Sequence, residues 1–323
     1  MVAVHSTARG PSLGGCRMWG YDDARAAVRD VLRLSQAMTY KAACAGLPQG
    51  GGKGVIVLSP GESLAPAARR DVLLDFAETV EAVGGRYRTA EDVGTSDADM
   101  AIIAQGTAHV TGLASGSGDP SPWTALGVQV SIEAACERAF GLPGLIGRRI
   151  AVVGLGRVGG HLARLLTAAG ADLVVADIDP DRRALAEELG ARWIAPDEAM
   201  RADCDVLAPC ALGAVLGPAT IPELRCRAIA GAANNQLASD DAAAQLARRG
   251  VLWVPDFVAN AGGIVNIAVE LEPAGYAVER AEPAVRAIGD TVRRVLDDAE
   301  ARGVTPLAAA MDLARARLAP AAA

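Results

Sequence analysis

Between Arg148 and Asp179 the chain reads RRIAVVGLGRVGGHLARLLTAAGADLVVADID. An apolar run, Ile150–Val153, leads into Gly154, Gly156 and Gly159. An amphipathic stretch follows, then a second apolar run ending at Asp177. Glycines in this spacing are a weak signal alone. Set between a strand and a helix, with a carboxylate 23 positions after the first glycine, they predict a βαβ unit that takes a dinucleotide. The glycines permit a tight turn and close approach to a pyrophosphate. The helix N-terminus, with Arg157 and Val158 in its first turn, supplies free N–H groups and partial positive charge. A carboxylate at Asp177 accepts from both hydroxyls of an adenosine ribose and repels a 2′-phosphate, so NAD is expected over NADP.

Further short strands are predicted at Val206–Ala208, Ala228–Gly231 and Val251–Val254, separated by helical stretches. Such alternation implies a parallel, doubly wound sheet. The fold class is therefore α/β: an N-terminal α/β substrate domain, a Rossmann-type NAD-binding domain, and a cleft between them. The glycine- and serine-rich segment 112–122 marks the hinge. The expected domains are 1–122 and 123–302, with a C-terminal helix at about 303–323 packing back on the first. In the first half, GPSLGGCR reads as a loop. A helix capped by Asp22 or Asp23 has Ala24, Val28, Val31, Leu32 and Ser35 as its apolar face and carries the chain to Met38–Lys41. Pro48–Gly52 reads as a turn, Gly54–Leu58 as a strand, and Ala277–Arg302 as one helix.

Charge narrows the function. The net charge is −7, without the cation cluster that a nucleic-acid surface needs. No apolar run approaches the roughly 20 residues of a membrane span, and no leader is evident, so a cytoplasmic protein is expected. Cys16, Cys44, Cys136, Cys204, Cys210 and Cys226 form no C-x-x-C, and His5, His109 and His161 are the only histidines, so no metal site is expected. The cysteines read as small buried hydrophobes in a reducing compartment. Of 31 basic residues, only Lys41 and Lys53 are lysine, and both fall in MTYKAACAGLPQGGGKGVIVL. An ammonium, unlike a guanidinium, can be tuned to act as a base. With the carboxylates Glu91 and Asp92 in the same half of the chain, and a dinucleotide site downstream, the set suits oxidation at a carbon bearing both a carboxylate and an amine.

GPSLGGCRMW, MTYKAACAGLPQGGGKGVI, TAEDVGTSDADM, GSGDPSPWTALGV, CDVLAPCALGAVL, IAGAANNQLA and PDFVANAGGIVNI follow one another over nearly the whole chain. In this order they resemble the signatures of the glutamate/leucine/phenylalanine/valine dehydrogenase family, most closely its branched-chain members. The resemblance implies an NAD-dependent enzyme, a homo-oligomer, that interconverts an L-amino acid with its 2-oxo acid and ammonia. It implies that Lys41 binds the substrate carboxylate, that Lys53 activates water, and that Asp92 exchanges protons with the substrate nitrogen. Asn235 would help hold the carboxylate, and Ala211 and Asn234 would line the nicotinamide ribose. Members usually carry a few dozen further residues before the strand with which this chain begins, so the sequence leaves assembly size open.

The resemblance also bears on substrate. Members that take glutamate place a cation just before the paired glycines, here Gly14 and Gly15, and that position is Leu13. Met38, Ile264 and Ile267 match positions facing the substrate side chain. An apolar pocket of this kind predicts leucine, valine and isoleucine. The competing readings are a phenylalanine dehydrogenase and a catalytically inert NAD-binding protein. A 2-hydroxy-acid dehydrogenase would need a catalytic histidine, and none of the three lies in a suitable motif.

Overall fold

The computed structural model describes residues 1–319. The chain divides into two compact units. One comprises Met1–Pro120, Ile264–Ala281 and Ala314–Ala323, the last described to residue 319. The other comprises Ser121–Gly263 and Glu282–Leu313. A division at 122 with one returning helix is therefore too simple, because the segment at 264–281 also belongs to the first unit.

The first unit holds strands β1 (Val2–Ser6), β2 (Ser12–Gly20), β3 (Gly50–Leu58) and β4 (Tyr87–Glu91) in the order β1-β3-β2-β4. Only β1 runs antiparallel to its neighbour. The segment GPSLGGCR is thus mostly strand, not loop, and β3 begins inside the expected turn at Pro48–Gly52. The cause is close packing. A Cβ at Gly14 would stand 1.8 Å from the Gly52 carbonyl oxygen, and one at Gly51 would stand 2.1 Å from the Thr39 nitrogen. These glycines bring backbones together rather than loosening them. Tyr87, fully buried, donates its hydroxyl to the Gly14 carbonyl at 2.7 Å and so ties β4 to β2.

Helices α1 (Ala24–Cys44), α2 (Pro66–Ala82) and α3 (Asp97–Ile103) complete this unit's first segment. Asp23 caps α1, accepting from the Ala26 nitrogen at 2.6 Å. The buried face of α1 is Ala27, Val31, Leu34, Ser35 and Thr39, at helical spacing. Val28 and Leu32, expected on that face, lie one position round the helix and are exposed. The core gathers Leu73, Phe76, Tyr87, Met100 and Ile103.

The second unit holds β5 (Arg149–Val153), β6 (Asp172–Ala176), β7 (Arg192–Trp193), β8 (Val206–Pro209), β9 (Ala228–Ile229) and β10 (Leu252–Trp253). All pairs are parallel, in the order β10-β9-β8-β5-β6-β7. The order reverses direction between β5 and β8, the switch point at which such sheets bind ligands beyond the carboxyl ends of their strands. Its helices begin with α4 (Ser121–Phe140), α5 (Arg157–Ala168), α6 (Arg183–Glu188), α7 (Asp241–Arg248) and α8 (Asp256–Ala259). Then α9 (Gly262–Glu270) enters the first unit. The expected helix over 277–302 is two, α10 (Val278–Arg286) and α11 (Ile288–Arg302), parted at Ala287. The last helix, α12, spans Pro306–Leu318, and Arg317 donates to the Ala43 carbonyl at 3.0 Å within the first unit. Residues 320–323 of the expected terminal helix lie outside the described residues. Among the described residues no helix is long and apolar enough to cross a membrane.

Candidate active site

Lys53 sits on β3, 4% exposed. The registers Leu13↔Gly51 and Cys16↔Gly54 set it level with Gly15 on β2, and Gly15 in turn pairs with Ala90 on β4. Asp92 follows β4 directly. Its carboxylate Oδ2 lies 2.9 Å from Lys53 Nζ. A Cβ at Gly15 would stand 2.6 Å from Asp92 Cβ, so the glycine vacates the space that the Asp92 side chain occupies. Burial alone pushes the Asp92 carboxyl up. The Lys53 ammonium, then the Arg17 guanidinium, outweigh that effect and hold it below the ordinary carboxylate value. The Arg17 Nε reaches Asp92 Oδ2 at 3.2 Å, a contact the sequence reading missed. Arg17 lies in the quoted glycine motif, and the strand spacing that aims it at Asp92 becomes visible only once GPSLGGCR is recognised as strand.

Lys41 occupies the last turn of α1, the helix packed against β3 through Thr39 and Gly51. Leu13, Ile264 and Ile267 come together, with Leu13 and Ile267 almost wholly buried, and Ala90 joins them. Ala90 was not anticipated; its signal is alternation along β4, two residues before Asp92. Met38 is half-buried on α1 and is not a member of this cluster. Leu13 and Gly15 share one face of β2, as Ala90 and Asp92 share one side of β4 and its continuation. The apolar cluster therefore adjoins the ion pair at about one two-residue step, ~7 Å.

In the second unit the dinucleotide motif falls at the switch point. Gly154 follows β5 with φ +101°, where a side chain would be strained. A Cβ there would meet Ala211 Cβ at 2.7 Å, which places Ala211, just after β8, against the first glycine. A Cβ at Gly159 would stand 1.9 Å from the Gly154 carbonyl oxygen, so the third glycine lets α5 press onto the turn. Among the described residues, its chain neighbours and nearby helix backbone aside, nothing lies within 4 Å of a would-be Cβ at Gly156, and α5 starts there without a side-chain cap. Arg157 and Val158 open the helix. Asp177 accepts from the Leu155 nitrogen at 2.6 Å and the Asp179 nitrogen at 2.8 Å, so the acidic residue is held at the turn itself. Open space over Gly156 beside an uncapped helix N-terminus fits a pyrophosphate.

Asn234 and Asn235 follow β9, both exposed. Asn235 has φ +52°, and its carbonyl accepts from Ala214 at 2.7 Å, drawing the loops after β8 and β9 side by side. Asn260 donates to Asn234 Oδ1 at 2.9 Å and to the Ala232 carbonyl at 3.0 Å. Its own Oδ1 is buried and has no partner among the described residues, an acceptor of the kind a carboxamide or ribose hydroxyl satisfies. The sequence reading passed over this residue although it opens the quoted NAGG. Lys41, Lys53, Asp92, Leu13, Ile264 and Ile267 belong to the first unit; Asn234, Asn235, Ala211 and the glycine motif belong to the second.

The six cysteines are free thiols. Cys210 is half-buried and the others buried. Burial pushes Cys204 and Cys210 up to about 12, and Cys136 and Cys226 up to about 11.

A parallel sheet with a glycine-rich switch point in one unit fits a dinucleotide, and a buried lysine–carboxylate pair in the other fits proton transfer, the parts of a dinucleotide-dependent enzyme. Comparison with known proteins agrees. The dimerisation-domain model of the Glu/Leu/Phe/Val dehydrogenases matches residues 1–109, and the glutamate/leucine/phenylalanine/valine dehydrogenase model matches residues 177–323. A TrkA-N domain model matches residues 150–203. Leucine dehydrogenase of Bacillus cereus is 44% identical over 99% of this chain and 87% of its own. Valine dehydrogenase of Streptomyces virginiae is 40% identical over 98% and 89%. The crystal structure of L-tryptophan dehydrogenase from Nostoc punctiforme superposes with a TM-score of 0.83 at 40% identity, covering 98% of this chain and 91% of that one. The chain belongs to the glutamate/leucine/phenylalanine/valine dehydrogenase family and is an amino-acid dehydrogenase.

Proposed function

We propose that the protein catalyses the reversible, NAD-dependent oxidative deamination of leucine, valine and isoleucine to their 2-oxo acids and ammonia. The observation that carries this reading is the dry cluster of Leu13, Ala90, Ile264 and Ile267 beside the Lys53–Asp92 pair. A bare γ-carboxylate against those four side chains, none of which carries a charge, would lose its hydration at several kcal/mol. The names of the Bacillus cereus and Streptomyces virginiae relatives support the same substrate class.

Each residue then has a role. Lys41 binds the substrate carboxylate, with Asn235 assisting. Asp92 exchanges a proton with the substrate nitrogen. Lys53 moves a proton to and from the water that adds to the imino carbon. Leu13, Ile264 and Ile267, with Met38 and the Gly14–Gly15 backbone, receive the side chain. The glycine motif, Arg157, Val158, Asp177, Ala211 and Asn234 hold the dinucleotide, and Asp177 favours NAD. Bound there, the nicotinamide supplies the hydride acceptor for the substrate Cα.

A homo-oligomer fits the name of the matched N-terminal model, and the exposed Trp19, Val57, Val28 and Leu32 of the first unit give it apolar contact area. Free, buried thiols suit the cytoplasm. The test is NAD reduction with a panel of L-amino acids at alkaline pH. Leucine, valine and isoleucine should all be accepted, with efficiencies that differ by no more than the ~1–3 kcal/mol by which one methylene discriminates. A preference for glutamate overturns the pocket argument; a preference for phenylalanine or tryptophan overturns its size.

A further inference from the structure

We propose that Arg17 is a positioning residue for the reaction: it pins the Asp92 carboxylate by one oxygen so that the other is presented to the substrate nitrogen. The inference deepens, and rests on, the reading of Asp92 as the group that exchanges protons with that nitrogen.

Two cations converge on one atom. Lys53 Nζ at 2.9 Å and Arg17 Nε at 3.2 Å both bind Asp92 Oδ2, and among the described residues Oδ1 has no partner. An arginine that merely neutralises a carboxylate favours the two-pronged arrangement, one N–H to each oxygen. Here the guanidinium spends its other edge elsewhere. Arg17 Nη1 binds Asp30 Oδ2 at 3.1 Å. Asp30 is itself fixed by the Tyr21 hydroxyl at 2.7 Å and by Arg33 at 2.8 Å. The guanidinium is therefore held at two nitrogens, between Asp92 after β4 and Asp30 on α1, with neither contact made to Oδ1.

The rest of the environment suits a carboxylate that stays ionised with one oxygen open. The Asp92 side chain is 20% exposed, and both cations sit on Oδ2. The groups whose charge bears on Asp92 are Lys53 from β3, Arg17 and Cys16 from β2, and Tyr87 from β4. Burial pushes both the Cys16 thiol and the Tyr87 phenol far up, so neither carries charge, and the two cations set the balance. In the oxidative direction one N–H bond of the substrate ammonium breaks and one O–H bond forms at Oδ1, leaving the electron pair on nitrogen. In the reverse direction the same proton returns.

Lysine at position 17 would keep the charge and lose the fork; glutamine would lose the charge. In Arg17→Gln, kcat with leucine should fall roughly 10–100-fold, part of what one positioned acid–base group contributes. KM for leucine and the NAD dissociation constant should move by less than about threefold, since the side-chain partners of Arg17 are Asp92 and Asp30 and the proposal gives it no ligand contact. The acidic limb of the kcat–pH profile should move to higher pH, because removing a cation makes Asp92 hold its proton more tightly. Arg17→Lys should return that limb towards wild type while leaving kcat low, which separates orientation from charge. Asp30→Asn, which leaves both Arg17 and Asp92 in place, should reproduce a smaller fall in kcat and guards against loss of folding in the Arg17 variants. A pH profile unchanged in Arg17→Gln, or full recovery of kcat by Arg17→Lys, overturns the inference. A wild-type protein with no amino-acid-dependent NAD reduction overturns the functional reading instead. In that event the thermal midpoints of Arg17→Gln, Asp92→Asn and the double variant still decide the contact, and strict additivity defeats it.

Discussion

Lys53 Nζ and Asp92 Oδ2 lie 2.9 Å apart beside Gly15, whose missing side chain makes the room for Asp92. A lysine so deeply buried would be costly to desolvate alone, and the adjacent carboxylate offsets that cost. The pair exists because a glycine separates the two strands that bear it, and this explains a glycine that no turn requires.

Lys53→Ala should abolish turnover and leave NAD binding intact, because the dinucleotide motif belongs to the other unit. NAD titration by fluorescence beside a turnover assay checks both halves. Lys53→Arg should not restore turnover, since a guanidinium does not give up its proton at working pH. Lys41→Ala should instead raise KM, by the ~1.5–3 kcal/mol of one charged hydrogen bond. Substantial turnover in Lys53→Ala would remove it from the mechanism.

The second unit was the more legible of the two. A strand–glycine–helix–strand pattern is local, so one window of sequence contains the whole of Gly154–Asp177. In the first unit the decisive relations are between strands. Gly14 and Gly51 look like loop residues in sequence, yet each admits a neighbouring backbone. Arg17 could be assigned to Asp92 only after β2 and β4 were paired in register. Likewise Val28 and Leu32 satisfy a helical pattern as well as the buried Ala27 and Val31 do. Which stripe faces β3 is settled by close packing against Gly51, not by hydropathy.

Asp177→Ser with Ile178→Arg should exchange cofactor preference. Asp177 binds the Leu155 and Asp179 nitrogens, and Ile178 is 89% exposed, so an arginine there meets solvent and an incoming 2′-phosphate. Loss of the carboxylate's hydrogen bonds should lower efficiency with NAD by ~1.5–3 kcal/mol, roughly 10–150-fold, while efficiency with NADP rises. Kinetics with both cofactors test this. Wild-type efficiency with NADP equal to that with NAD would contradict the role of Asp177.

Asp99 joins the capping box of α3 and forms an ion pair with Arg69 at 2.7 Å. Burial pushes its carboxyl up, but hydrogen bonds from Arg69 and Ser96 outweigh this and hold it below its ordinary 3.8. A carboxyl depressed in the folded state binds its proton less readily there than in the unfolded chain. Its stabilisation is therefore full above pH 3.8 and fades as pH falls below that value. Asp99→Asn should destabilise the protein at pH 7 by about 1–3 kcal/mol, and the gap to wild type should narrow in acid. Urea unfolding at both pH values measures it; a gap that is constant with pH would assign the loss to packing rather than charge.

Ile267 is 4% exposed on α9 and packs with Leu13, Ala90 and Ile264. Shortening it to alanine removes buried methyl groups and leaves a cavity, which typically costs 2–5 kcal/mol, so a lower thermal midpoint is expected. The same cavity lies where the substrate side chain is proposed to sit. Efficiency should drop for valine, whose small side chain loses contact, and rise relative to it for phenylalanine, whose ring can occupy the vacated volume. The ratio of the two efficiencies is the informative quantity, because a general loss of folded enzyme lowers both alike and cancels. A shift of tenfold or so corresponds to ~1.4 kcal/mol of differential binding, within what a few methylenes supply. Glutamate should stay a poor substrate in this variant, since enlarging the cluster adds no cation. An unchanged phenylalanine-to-valine ratio, with the expected loss of stability, would place Ile267 in the core of the first unit and outside the substrate pocket.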